Sequence, residues 1–164
     1  VIELIVLDVD GTMTDGGIGY TANGVEYKTF NVKDGFAIVA WRKMGHHVAI
    51  ITGRDSPIVT HRAKELGIVH CYQDVSDKGV VLEKIMADLG LSRSAVAAIG
   101  DDINDLPMLT RVAKSFAPSD AVAEVQNRVD VVVHAKGGEG AVREMIEFLL
   151  RDQGEYDAFL ERYV

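Results

Sequence analysis

Leu4-Ile5-Val6-Leu7-Asp8-Val9-Asp10-Gly11-Thr12 is the stretch on which the fold turns. The apolar, partly β-branched run from Leu4 to Leu7 has the composition of a strand buried on both faces, and it ends abruptly in two carboxylates followed by Gly11 and Thr12. A carboxylate held against apolar surroundings either takes up a proton or finds a cation, so Asp8 and Asp10 at a strand terminus point to a metal or a cationic ligand. A solvated turn is the plainer alternative. Asp-x-Asp-Gly alone also opens calcium loops, and the two readings stand level until later segments are added.

A chain of 164 residues can bury a full core as one domain spanning residues 1–164. With 17 basic against 25 acidic residues the net charge is −8, which argues against nucleic acid or an anionic membrane as a partner and makes any anion site local. Cys71 is the single cysteine, so no intrachain disulfide can form, and a reducing cytoplasm is the expected compartment. No apolar run approaches the length of a membrane span, and no signal peptide is visible. The sequence opens at Val1, in or just before its first strand, as a trimmed start or as a piece of a longer chain.

Working outward, Ala22-Asn23-Gly24 lies between two strand-like runs, which predicts a β-hairpin over residues 17–30. Asp34-Gly35 then precedes a helix over 36–44, and Val48 to Ile51 forms a second buried strand running into Thr52-Gly53-Arg54. Ser56-Pro57 opens a helix that ends at Gly67. A strand near 68–72, a helix from Lys78 to Leu89 and a strand from Val96 to Ile99 follow, the last running into Gly100-Asp101-Asp102. A helix begins near Asn104, short strands fall near 115–117 and 131–133 around a helix at 121–127, and a further helix covers 140–150. In the tail, 151–164, Tyr156, Phe159, Leu160 and Tyr163 are spaced for a helix without an obvious place in the core. Such alternation means right-handed βαβ units and a parallel sheet with helices on both faces.

Ligands of open parallel sheets sit beyond the carboxyl ends of the strands, where strand order reverses. Asp8, Thr52 and Asp101 each follow a buried strand, and Lys78 starts the next helix, so all four belong on one rim. These segments give the chain its resemblance to the haloacid-dehalogenase-superfamily phosphatases: Asp8-Val9-Asp10-Gly11-Thr12 is similar to their first motif, Thr52 to the second, Lys78 to the third and Gly100-Asp101-Asp102-Ile103-Asn104-Asp105 to the fourth. The resemblance implies a Rossmann-like α/β fold of that superfamily.

Phosphoryl transfer needs an in-line nucleophile, a cation against the phosphate charge and donors for its oxygens. Asp8 fits the nucleophile, forming an aspartyl-phosphate, and Asp10 the general acid and base. Mg²⁺ is expected on Asp8, the Asp10 carbonyl and Asp101, because oxygen-only ligation suits a hard ion. Thr52 would donate to a phosphoryl oxygen, and Lys78 would offset charge on phosphate and Asp8. Asp102 and Asp105 read equally well as orienting groups or as helix starts.

Most of the superfamily closes its site with a cap domain, for which this chain has no room. The hairpin, with Ile18, Tyr20, Val25, Tyr27 and Phe30, offers an apolar edge for another subunit, a hairpin folded onto its own domain being the plainer alternative. More narrowly, the hairpin, Phe30 to Gly35, Thr52-Gly53-Arg54 and Gly137 to Glu144 resemble the capless phosphatases acting on 3-deoxy-D-manno-octulosonate 8-phosphate. That resemblance implies a homotetramer joined through the 17–30 hairpins, each site completed by a neighbour. It also carries substrate binding to Asp10, Asn31, Val32, Lys33, Asp34, Gly35, Thr52, Gly53, Arg54, Arg62, Lys78 and Asn104. Arg54 stands where relatives acting on nine-carbon 9-phosphates tend to have Glu, and Val39 where some relatives present an arginine. A nine-carbon substrate or a non-catalytic oligomerisation module are the alternatives. The five histidines lack ligand spacing and read as surface or strand-end residues, Cys71 reads as a small core residue, and Gly137-Gly138 as turn glycines or a loop against the site.

Overall fold

The computed structural model describes residues 1–164 and centres on a six-stranded parallel sheet. In chain order its elements are β1 (Leu4–Leu7), β2 (Gly19–Tyr20), β3 (Glu26–Tyr27), α1 (Val32–Lys43), β4 (His47–Ile51), α2 (Pro57–Leu66), β5 (His70–Tyr72) and α3 (Lys78–Leu89). There follow β6 (Val96–Ile99), α4 (Leu106–Leu109), β7 (Lys114–Ala117), α5 (Ala123–Gln126), β8 (Val131–Val132), α6 (Ala141–Asp152) and α7 (Tyr156–Glu161). Strand order is β5-β4-β1-β6-β7-β8. The chain therefore builds outward from β1 to one edge, then returns to β6 on the other side, which puts the reversal between β1 and β6.

Alternation along β1 serves two cores at once. Leu4 and Val6 face a layer with Leu82, Ile85 and Met108, whereas Ile5 and Leu7 face a larger layer with Ile38, Trp41, Met145 and Ile146. No residue of β1 has exposed surface, which is why the strand reads as a continuous apolar run.

Several boundaries move from where the sequence places them. The first helix starts at Val32 rather than 36, because Asn31 caps it by accepting from the N–H groups of Lys33 and Asp34. Asp34 and Gly35, expected before the helix, lie inside it. The hairpin is present with strands of only two residues each, its turn closed by the Thr21 N–H donating to Val25 O at 2.9 Å. The strand near 68–72 shortens to β5, and the helix near Asn104 begins as a 3₁₀ turn over Ile103–Asp105. Cys71 is half-buried at the margin of the core.

The tail does have a place in the core. In α7, Phe159 is 2% exposed in the larger apolar layer, and Tyr156 packs at its margin. Gln153 ties the end of α6 to Ile2 by side-chain bonds to its N–H and carbonyl, so the last helices lock onto the first strand. No helix is long and apolar enough to cross a membrane. Phe159→Ala is expected to cost about 3 kcal/mol in a urea melt, the usual scale for emptying a buried phenyl site. A loss under about 1 kcal/mol would show that α7 is not docked in solution.

Candidate active site

Asp8 follows β1 and Asp101 follows β6, so the two carboxylates flank the crevice where strand order reverses. Thr52, just past β4, contributes to the same rim, its backbone fixed by bonds to the Tyr72 carbonyl and from the Val75 N–H. Asp8, Asp10, Thr52, Gly53, Arg54, Asp101 and Asn104, with Val75 and Asp102, line one polar cleft of about 400 Å³. Asp8, Thr52 and Asp101, far apart in sequence, therefore meet at this rim as expected.

Beneath this cleft lies a buried lysine. Lys78 opens α3, which Asp77 caps, and its side chain is 1% exposed. Its Nζ donates to Asp8 Oδ1 at 2.7 Å and to Asp105 Oδ1 at 2.5 Å. The other Asp105 oxygen accepts from the N–H groups of Asp101 and Asp102 at 2.8 and 3.1 Å. Asp105 thus does both jobs the sequence left open: it closes a capping box with Asp102 and orients Lys78. Asp102 contributes the other half of that box.

Charge in the cleft is unbalanced. Burial, followed by the negative charge of Asp105, pushes the Asp8 carboxyl up to about 6 against the opposing pull of Lys78. Asp101 is pushed up to about 9, first by burial and then by its hydrogen bond to Asp8 and the charges of Asp8, Asp105 and Asp102. Burial also works against the Lys78 ammonium, but the two adjoining carboxylates outweigh it and its pKa is raised. Carboxylate oxygens of Asp8, Asp101 and Asp105 come within 4.8 Å of one another. With Asp105 committed to Lys78 and two N–H groups, Asp8 and Asp101 are the pair free to hold a cation. An all-oxygen donor set with surplus negative charge suits a hard divalent ion.

The turn carrying Asp10 is tightly braced. Gly11 has φ +90°, and a Cβ there would overlap the Asp101 carboxylate, so the glycine serves the approach of two acidic loops. Thr12 Oγ1 reaches Asp8 Oδ2 and Asp101 Oδ1 in long contacts of 3.4 and 3.5 Å. Gly138 N–H donates to the Thr12 carbonyl at 3.0 Å, and a Cβ on Gly137 would collide with the Gly11 carbonyl. The Gly137-Gly138 loop is therefore packed against the first motif.

Lys28 is the residue that sequence reasoning missed. It sits at the end of the hairpin with a fully buried side chain and places Nζ 2.8 Å from Asp10 Oδ1 and 3.6 Å from Glu26 Oε1. Arg54 Nη2 donates to the same Glu26 oxygen at 3.2 Å, while its Nε lies 3.9 Å from Asp10 Oδ2. The only available signal was the alternating run Val25 to Phe30, whose phase puts Glu26 and Lys28 on one face.

Asn31, Val32, Lys33, Asp34, Gly35 and Arg62 do not line the acidic cleft of their own chain. Val32, Gly35 and Arg62 border a separate apolar groove of about 380 Å³ with Phe36, Val39 and Tyr163, and Asn31 donates to the Gly138 carbonyl at 3.3 Å. Arg62 stacks on Phe30 and pairs with Glu65, so Arg54 and Arg62 border different cavities. Asp34 accepts from the Arg143 N–H at 2.8 Å, which gives α6 the N-terminal acceptor that Gly140 cannot supply.

Residues 67–146 match the haloacid dehalogenase-like hydrolase family. Over 156 residues, 95% of this chain and 83% of the relative, the sequence is 43% identical to the 3-deoxy-D-manno-octulosonate 8-phosphate phosphatase of Salmonella typhi. The chain belongs to the haloacid dehalogenase-like phosphatase family. Among solved family members, the 3-deoxy-D-manno-octulosonate 8-phosphate phosphatase of Moraxella catarrhalis, in complex with magnesium, phosphate and KDO, is 39% identical with a TM-score of 0.96. That match covers 99% of this chain and 94% of the other. The cobalt-bound phosphatase of Haemophilus influenzae is 39% identical with a TM-score of 0.92, covering 96% and 92%. The fold is thus that of the phosphatase family, with the short β2–β3 hairpin beside the main sheet.

Burial pushes the Asp34 carboxyl up to about 6, with the Arg143 N–H and the Arg143 and Arg62 charges working the other way. A carboxyl that binds its proton more tightly when folded lowers stability as pH rises through the window between 3.8 and about 6. Asp34→Asn is expected to gain on the wild type by up to about 3 kcal/mol between pH 4 and pH 7.5. Thermal melts of both proteins across that range check it, and a constant difference would refute it.

Proposed function

We propose that this chain is a Mg²⁺-dependent phosphomonoesterase that removes phosphate from 3-deoxy-D-manno-octulosonate 8-phosphate, a step in lipopolysaccharide sugar biosynthesis in the cytoplasm. The observation that carries it is the pairing of Asp8 with buried Lys78 beside Asp101 at the β1/β6 crevice. The Moraxella relative with the same fold binds magnesium, phosphate and KDO.

In this reading Asp8 attacks phosphorus through Oδ2, the oxygen that Lys78 does not hold. Asp10 protonates the departing alkoxide, then takes a proton from the water that hydrolyses the aspartyl-phosphate. Thr52 and its loop donate to phosphoryl oxygens, and Arg54, Gly53 and Asn104 border the space the sugar acid would occupy. Asp8, the Asp10 carbonyl and Asp101 would hold Mg²⁺, which supplies charge neutralisation at the phosphoryl group.

A homotetramer supports the rest of the binding set. The cleft has no cap, and Tyr20, Val25 and Tyr27 of the hairpin are each more than half exposed. Neighbouring hairpins in contact would bury them and would let the 31–35 segment and Arg62 of one subunit complete the cleft of another. Arg54 after Thr52-Gly53, where relatives acting on nine-carbon 9-phosphates tend to have Glu, favours the eight-carbon sugar acid. Intact Asp8, Asp10, Lys78 and Asp101 weigh against a non-catalytic module.

Phosphate release from the octulosonate ester is expected with Mg²⁺ and not with chelator, and Asp8→Asn should lower it by about 10³-fold or more while circular dichroism shows the fold unchanged. Full activity in Asp8→Asn would remove the nucleophile. Equal kcat/KM on a nine-carbon 9-phosphate would remove the chain-length selection. In light scattering the protein should weigh four times its 17.8 kDa chain, and Val25→Glu should lower that mass. A monomeric wild type would overturn the assembly.

A further inference from the structure

Lys28 lies outside the four family motifs, yet it is among the most completely buried charges in the molecule. Removing an ammonium from water costs several kcal/mol unless a partner compensates. Its partners are Asp10 Oδ1 at 2.8 Å and Glu26 Oε1 at 3.6 Å. With Arg54 bridging Glu26 and approaching Asp10 Oδ2 at 3.9 Å, two cations and two anions alternate across the mouth of the cleft.

Within this array Lys28 makes the only hydrogen bond to the Asp10 side chain. Asp10 sits in a turn rather than on a strand, so its backbone alone leaves the carboxylate free to rotate. Gripping Oδ1 from the buried side settles that rotation and leaves Oδ2 on the side of Arg54, which lines the cleft with Asp10.

We infer that Lys28 is a positioning residue for Asp10, fixing Oδ1 so that Oδ2 is the oxygen that exchanges a proton with the leaving alkoxide. This rests on the reading of Asp10 as general acid. In the first step the bond from Asp8 to phosphorus forms, the bond from phosphorus to the ester oxygen breaks, and the proton on Asp10 Oδ2 passes to that oxygen. Lys28 keeps its protons throughout. Because Lys28 belongs to the hairpin, a seated hairpin becomes a condition for an aligned acid.

Leaving-group dependence separates positioning from simple docking of the hairpin. An alkoxide needs the proton as it departs, whereas p-nitrophenolate leaves without one, and kcat/KM reports only steps through that departure. Lys28→Met, Lys28→Arg and Asp10→Asn are compared with wild type on the octulosonate ester and on p-nitrophenyl phosphate. Lys28→Met is expected to lose roughly tenfold more kcat/KM on the sugar ester than on the aryl ester. Asp10→Asn should show the same imbalance more strongly, and Lys28→Arg should restore most of the sugar-ester activity.

The ratio between two substrates in one preparation is insensitive to the fraction of protein that folds. An equal loss on both esters in Lys28→Met, alongside an imbalance in Asp10→Asn, would overturn the role of Lys28 and leave the acid in place. No imbalance in Asp10→Asn would overturn the acid itself. A wild type inactive on both esters would overturn the phosphatase reading beneath them.

Discussion

Lys78, buried between Asp8 and Asp105, is the contact from which the geometry of the cleft follows. A lysine with 1% exposure survives only where anions surround it, and those anions come from the ends of two different strands. The pairing fixes the start of α3 against β1 and the loop after β6. It also ties the first, third and fourth motifs into one rigid unit before any ligand arrives. The surplus acid left over, Asp101 beside Asp8, is what makes the cleft a place for a cation.

Around that unit the architecture is economical. Leu4 to Leu7 bind the two apolar layers together, each side chain alternating between them, so the strand ending in Asp8 is held from both faces. Burial of such side chains is worth about 1.5–3 kcal/mol each, far more than a surface ion pair. That excess is what lets the end of the strand tolerate crowded carboxylates. Unbalanced charge is concentrated where β1 and β6 diverge, and the two cores hold it there.

The fold was legible because its central strands β1, β4 and β6 are buried on both faces and its helices carry strong stops such as Gly67 and Gly90, both in the left-handed conformation. The convergence of Asp8, Thr52, Lys78 and Asp101 followed from strand topology alone. Lys28 was invisible for a different reason: its partner Asp10 is reached by folding a hairpin back over the cleft, and two-residue strands leave almost no periodic signal. The start of α1 was misplaced because Asp34-Gly35 reads locally as a turn, whereas Asn31 supplies the stronger cap. Phe159 was read as helical but not as core, since a short terminal helix advertises no core face until the layer it meets is known.

The loop of Gly137 and Gly138 bears on how such an enzyme is made. Its N–H holds the Thr12 carbonyl, and its own carbonyl is held by Asn31, so a late segment clamps two early ones. On the ribosome every acid and lysine of the cleft emerges before this clamp does. A premature stop between Asp105 and Gly137 would therefore leave the chemistry encoded in full and the turn that carries Asp10 unsupported.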